Sequence, residues 1–260
     1  LHEAGHVLEA YGDRVRLVHG TFADIQRIAE EAGFGDATGI VFDLGLRSSL
    51  LDQDRGFSFR GSSRLDMRFD SRGQIRLPEP SHSGLRRLAR QRGNYTAAEV
   101  LRFLSAKDLG DLLRQYGDEH AARKISEGIV TTRRERDIAS TSDLVSVVIR
   151  SLPPRARHGR IHAATKTFQA LRIAVNREFE SLEIGLRGAL SLLGAGGRLA
   201  VSAYHSGEDR IVKRVFREAV SSGHFAHMTK RPLTPTDREQ QENPRGRSAK
   251  LRILEHTSTP

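Results

Sequence analysis

The sequence predicts an α/β fold in which an open sheet is interrupted by an all-helical insertion. Three observations carry that expectation. Residues 1–44 alternate helix, strand, helix, strand, the order that builds a parallel sheet with crossover helices. Helical periodicity alone then fills 96 to about 152, and Pro153-Pro154 ends it. Beyond about 165 the alternation of helix and strand resumes.

In chain order, Ala4, Val7, Leu8 and Tyr11 recur at helical spacing before Gly12, which predicts a helix over 2–11. Val15, Leu17 and Val18 read as a short strand-like run. Ile25, Ile28, Ala29 and Ala32 predict a second amphipathic helix, closed by Gly33. Ile40-Val41-Phe42 is a compact apolar run that reads as a buried strand ending at Asp43. No sustained period appears over 45–95. Helices are expected over 96–105, 107–116, 118–130 and 141–152. A long helix from about 165 to 193 puts Phe168, Leu171, Val175, Phe179, Leu182, Leu186 and Leu190 on one face. Gly194-Ala195-Gly196-Gly197 turns the chain into a buried strand at Leu199-Ala200-Val201. Ser206 is expected to cap a helix over 208–221, with Glu208 favouring its positive end. The stretch 229–249 is polar and holds three prolines, and Leu251 and Ile253 mark a last strand.

A chain of 260 residues holds one large domain or two modest ones, and 37% apolar residues with 24 glycines suffice for a core. The absence of cysteine excludes disulfides, zinc ribbons, iron–sulfur clusters and thiol nucleophiles. No apolar run approaches the roughly 20 residues that span a bilayer, and no signal peptide opens the chain. A soluble, cytoplasmic protein with no membrane partner is expected. The formal net charge is +10, unevenly spread. Residues 1–70 hold 8 basic and 12 acidic side chains, 71–167 hold 19 and 10, and 168–260 hold 15 and 10. These segments read as the first part of the α/β domain, a basic helical insertion and the second part. The basic middle suits a polyanionic partner such as nucleic acid, although a solvated arginine-rich surface has the same composition.

His2-Glu3-Ala4-Gly5-His6 matches the H-E-x-x-H pattern of zinc peptidases. Gly5 weakens the helix it needs, and Glu9 and Gly12 occupy the positions of the metzincin extension. The histidines read as incidental, and no metal is expected. Asp43-Leu44-Gly45, followed by Ser48 and Ser49, places a carboxylate and hydroxyls after a buried strand, where open α/β sheets bind ligands. An aspartate capping the next turn gives the same pattern. Tyr204-His205-Ser206 follows the second buried strand, and helix capping accounts for it equally well.

A larger set is far more specific. Gly56-Phe57-Ser58-Phe59, Leu65-Asp66-Met67-Arg68, Thr167 through Asn176, His205-Ser206 through Lys213, and Asn243-Pro244-Arg245 through Arg252 occur in that order. Order and spacing resemble the RsmH (MraW) family over nearly the whole chain. Its members are S-adenosylmethionine-dependent methyltransferases acting on the N4 of a decoding-site cytidine in 16S ribosomal RNA. The resemblance implies a Rossmann-like class I methyltransferase sheet interrupted by an all-helical insertion domain. It implies S-adenosylmethionine as cofactor, with Phe22 beside the adenine and Asp43 near the reacting methyl. Asp43, Ser48 and His205 become the catalytic candidates, and Phe57, Arg68, Arg172, Ser206, Arg245 and Arg247 the substrate-binding ones. Asp43 would accept from the attacking amine, with Ser48 or His205 holding a cytidine turned out of its stack, while the basic insertion holds phosphates. The implied partner is 16S ribosomal RNA or the small ribosomal subunit; a homodimer is left open.

The chain departs from the family pattern at several points. The family's glycine-rich loop after the first strand, and the acidic residue after the second that holds the ribose, have no counterpart, so the chain is expected to begin just past them. Leu50 stands where the family has a cofactor-contacting glutamine, Gly207 replaces a leucine and Ala163 a proline. The segment 73–94, with Arg76, Arg86, Arg87, Arg90 and Arg92, is longer than expected. The competing reading is a catalytically incompetent RNA-binding fragment or relative that has lost the cofactor glycine loop.

Overall fold

Two compact units divide the chain: a sheet unit, Leu1–Gly45 with Ser181–Pro260, and a helical unit, Leu46–Glu180. The computed structural model describes residues 2–45, 54–59, 61–157, 159 and 161–257, with the backbone alone of His2, Glu3 and Arg245.

In the sheet unit, helices α1 (His2–Leu8) and α2 (Ile25–Glu31) precede strand β1 (Ala37–Asp43). The apolar run at 40–42 becomes the centre of β1, which lies parallel to β2 (Leu193–Ala203), with Phe42 opposite Val201 and Asp43 opposite Ser202. Strands β3 (Phe225–His227) and β4 (Lys250–His256) complete a four-stranded mixed sheet in the order β1-β2-β4-β3. Because strand side chains alternate, Phe42, Leu199, Val201 and Leu254 share one buried face. Helices α10 (Glu178–Leu192) and α11 (Ser206–Ser221) supply Leu182, Leu186, Val212, Val215 and Phe216 to the same apolar cluster. The α/β class is thus as expected, Rossmann-like, with the helical unit inserted between the two segments of the sheet unit.

Glu183 of α10 ties the two helices together. It accepts from Arg214 of α11 at 2.8 and 2.7 Å and from Arg187 at 3.2 Å. The Arg214 hydrogen bonds dominate over burial and bring the Glu183 carboxyl down to about 2. Its contribution to stability is therefore complete above the ordinary glutamate range and lost as pH falls from about 4.5 towards 2. Glu183→Gln should show a shallower fall of melting temperature over that interval than the parent protein. Identical acid profiles would remove Glu183 as a determinant.

The helical unit holds α3 (Ser83–Arg92), α4 (Ala97–Phe103), α5 (Ala106–Gly117), α6 (Ala122–Glu135), α7 (Thr141–Ser151), the short α8 (Pro154–Arg157) and α9 (Thr165–Asn176). Thr96 with Glu99 and Ser140 with Asp143 form reciprocal capping boxes at α4 and α7, which fixes where both helices start. Leu109, Leu112, Ile125, Leu144, Val148 and Leu171 are among the fully buried side chains of its core. Counted over the two units, the charge separates completely. The helical unit carries 26 Lys and Arg against 16 Asp and Glu, whereas the sheet unit carries 16 of each. No helix among the described residues is long and apolar enough to cross a membrane.

Several elements differ from expectation. Val15 is extended (φ −120°, ψ 130°), but no strand among the described residues includes 15–18, and Val18 is 51% exposed. Without a neighbouring strand to accept its ladder, that apolar run stays irregular. The long helix predicted over 165–193 breaks at Arg177, which takes a left-handed conformation (φ 52°). Tertiary contacts impose the break: Arg177 is buried, donates to the Pro78 carbonyl at 2.7 Å and lies 5.3 Å over the Tyr95 ring. Helix α3 forms inside the stretch that shows no sustained period. The cap of α11 is His205, not Ser206, which is the first helical residue.

Candidate active site

The two strand-end motifs of the sheet unit meet. Register sets Asp43 beside Ser202, and two residues further on the Tyr204 hydroxyl donates to Asp43 Oδ1 at 2.8 Å. A bond from Ser202 draws the Tyr204 phenol down, but burial and the Asp43 and Glu208 carboxylates outweigh it and leave the phenol above its ordinary value. Tyr204 therefore remains a neutral donor that orients the Asp43 carboxylate, and Asp43 itself is solvent-exposed.

Phe22 begins a single helical turn, Phe22–Asp24, that is closed by a Thr21–Asp24 capping box. Its ring lies 5.1 Å from that of Phe42, the residue before Asp43, and remains 42% exposed. A flat apolar surface and a carboxylate thus stand next to each other at the end of β1. Gly185 of α10 allows this seat. A Cβ there would stand 2.6 Å from the Phe22 carbonyl oxygen and 2.8 Å from the Phe22 Cβ. Gly185→Ala should cost about 1–3 kcal/mol through overpacking. Denaturant titration checks this, and an unchanged midpoint would contradict it.

The His205-Ser206 turn is built around Glu208, which sequence reasoning marks only as a favourable helix-start acid and not as an organiser. Glu208, 6% exposed, accepts from the backbone N–H of Tyr204 at 2.8 Å and of His205 at 3.2 Å. His205 Nδ1 accepts from the Glu208 N–H at 3.4 Å, and its Nε2 lies 3.0 Å from Glu208 Oε1. An accepting Nδ1 puts the proton of a neutral ring on Nε2, facing that carboxylate. His205 Nδ1 is therefore taken up in capping the helix, while Ser206 is exposed. The signal for Glu208 was present as the N3 acid of a capping box. Asp209 is drawn the other way, to Arg252 (2.7 Å) and Lys250 (3.1 Å) of β4; burial raises its carboxyl, and these cations more than reverse that.

The remaining candidates are distributed as follows. Ser48, with Ser49 and Leu50, lies outside the described residues, as does the Arg245 side chain. Arg247 is exposed after the Pro244–Gly246 turn of the sheet unit. In the helical unit, Phe57 is buried (8% exposed). Arg68 is held by Asp66 through paired bonds of 2.8 and 2.7 Å, and Arg172 by Glu178 through bonds of 2.8 and 2.9 Å. Burial lifts the Asp66 carboxyl, but hydrogen bonding to Arg68 brings it below the usual carboxylate range. Both arginines are thus fixed in orientation by a carboxylate. Among the described residues no three His, Asp or Glu side chains converge as metal ligands.

A profile of the MraW methylase family matches residues 1–77 and 86–257. The chain belongs to the MraW methylase family. The unmatched residues 78–85 fall within the long stretch 73–94 and lead into α3. Similar proteins include the ribosomal RNA small subunit methyltransferase H of Sulfurihydrogenibium sp. (strain YO3AOP1), 37% identical over 246 residues, covering 95% of this chain and 77% of that protein. The enzyme of the same name from Citrifermentans bemidjiense is 41% identical over 265 residues, covering 95% and 78%. That of Synechococcus sp. (strain JA-2-3B'a(2-13)) is 43% identical over 255 residues, covering 95% and 72%. In this MraW-family chain, the exposed carboxylate and ring therefore sit on the unit with balanced charge, and the excess positive charge sits entirely on the other.

Proposed function

We propose that this protein methylates the exocyclic N4 amine of a cytidine in the decoding region of 16S ribosomal RNA, in the cytoplasm, with S-adenosylmethionine as donor. The observation that carries the proposal is the Asp43–Tyr204 pair at adjacent strand ends beside the exposed Phe22 ring, in a member of the MraW methylase family. These residues suit the donor: a nucleoside base lies flat on an exposed ring, and a carboxylate favours a cationic neighbour. When bound, S-adenosylmethionine supplies an already activated sulfonium methyl group. Phe22 and Asp43 hold it. The N4 amine is a weak nucleophile because its lone pair is delocalised into the ring, so an acceptor that localises this pair assists attack. Asp43 is that acceptor, held in orientation by Tyr204. Ser48 or His205 holds the base, and Phe57, Arg68, Arg172, Ser206, Arg245 and Arg247 belong to the RNA side. The +10 helical unit supplies most of the phosphate contacts.

Substrate choice is tested by incubating the protein with methyl-labelled S-adenosylmethionine and small-subunit RNA, the assembled small subunit, large-subunit RNA or transfer RNA. Label should enter the first or second substrate only. Equal labelling of all four, or preferential labelling of the last two, would overturn the proposal.

A further inference from the structure

The Gly56–Phe59 motif carries a feature that methyl transfer as described does not use. Each of its phenylalanines supports a second, more exposed ring. Phe57, 8% exposed, is stacked by Phe69 with centroids 5.6 Å apart and planes 17° from parallel, and Phe69 is 40% exposed. Phe59 is stacked by His162 at 4.5 Å and 11°, and His162 is exposed. Phe168 meets Phe59 edge-on from the core at 5.8 Å and 79°. All five residues belong to the helical unit.

The outer rings are held by more than their stacking. Asn176, 6% exposed, accepts from the Phe69 N–H at 2.7 Å and donates to the Met67 carbonyl at 2.7 Å. Met67 is left-handed (φ 60°), an unfavourable state for a residue with a side chain, and its N–H is fixed on the Arg55 carbonyl at 2.8 Å. Strain of this kind persists only where surroundings over-determine it, and it concentrates at ligand-handling sites. His162 Nδ1 accepts from the Ala164 N–H at 3.2 Å, which fixes the ring's orientation. Two exposed flat rings, one backed by the buried Phe57 and the other by the half-buried Phe59, thus stand on the unit that carries the whole +10 charge, with the Arg55 guanidinium 5.6 Å over Phe57. Aromatic rings on a basic surface are what unpaired bases of single-stranded RNA require, since every base offers a π-face to stack.

We infer that Phe69 and His162 are stacking platforms for unpaired bases of the RNA substrate, with Asn176 as the positioning residue of the first platform. The inference rests on the RNA reading above. It is tested with the whole protein and a single-stranded RNA oligonucleotide carrying 2-aminopurine, whose fluorescence is quenched by stacking. Phe69→Leu keeps an apolar side chain on Phe57 but loses planarity, whereas Phe69→Tyr keeps it. The Leu variant should weaken binding about 10-fold and lose part of the quenching, and the Tyr variant should match the parent. His162→Ala should act in the same direction, with the salt dependence of binding unchanged because the same phosphates stay neutralised. Parent-like affinity and quenching in both Phe69→Leu and His162→Ala, while the parent protein binds and methylates RNA, would overturn the platforms alone. A parent protein that neither binds the oligonucleotide nor methylates small-subunit RNA would overturn the RNA reading and the platforms with it.

Discussion

Asp43→Ala should reduce methyl transfer by about 10²–10³-fold or more while leaving RNA affinity within about twofold of the parent. The asymmetry follows from where the residue stands. Asp43 ends β1 in the unit of balanced charge, so removing one exposed carboxylate leaves the +10 of the helical unit intact. Folding should survive as well, because the side chain is exposed and bonds to the Tyr204 hydroxyl at the surface. Asp43→Asn separates geometry from charge. The amide oxygen still accepts from Tyr204, so the loop is retained, but the negative charge that localises the amine's lone pair is gone. Its turnover should resemble that of the alanine variant, and parent-like turnover in either variant would remove Asp43 from the mechanism.

RNA binding should weaken steeply with salt. A protein that neutralises 6–10 phosphates loses roughly 10³–10⁵ in affinity between 50 and 200 mM salt, and the excess charge of the helical unit puts the protein in that range. Helix α3 is the surface to alter first. Arg86 is exposed, and the side chains of Arg87 and Arg90 remain 61% and 79% exposed although each approaches a carboxylate, of Asp108 and Glu79 respectively. Replacing all three with glutamine should lower the slope of log K against log salt by roughly 0.7–0.9 for each phosphate that is no longer neutralised, with Tm almost unchanged. An unchanged slope would move the RNA-binding surface away from α3. Together with the stacking variants, the series divides affinity into a salt-sensitive and a salt-insensitive part.

The parts of this architecture that were legible in the sequence are those set by local rules. Strand β1 shows because Ile40-Val41-Phe42 is apolar and bounded by Gly39 and Asp43, and α4 and α7 show because of their helical periodicity, their starts then being fixed by the Thr96/Glu99 and Ser140/Asp143 boxes. Asp43 and the Tyr204–Ser206 turn could both be marked as strand ends. That Tyr204 rather than His205 reaches Asp43 could not, because it depends on the register of β1 against β2. Helix α3 escaped notice because four of its ten residues are arginine and only Gly84, Leu85 and Leu88 are buried, too narrow a stripe to reveal a period. The break at Arg177 has no glycine or proline to announce it, since a buried guanidinium anchored on a distant carbonyl imposes it. Phe57 was visible as a motif residue, but its partner Phe69 lies 12 positions on, and only the folded chain shows which ring faces outward.

Identification of the methylated nucleoside tests the central claim most directly. Small-subunit RNA treated with the protein and methyl-labelled S-adenosylmethionine is digested to nucleosides, and the labelled species is separated and fragmented by mass spectrometry. A localised lone pair on the exocyclic amine, prepared by Asp43, predicts N4-methylcytidine as the labelled product and its disappearance with Asp43→Ala. Label in 5-methylcytidine, in a methylated adenosine or on a ribose 2′-oxygen would contradict the account.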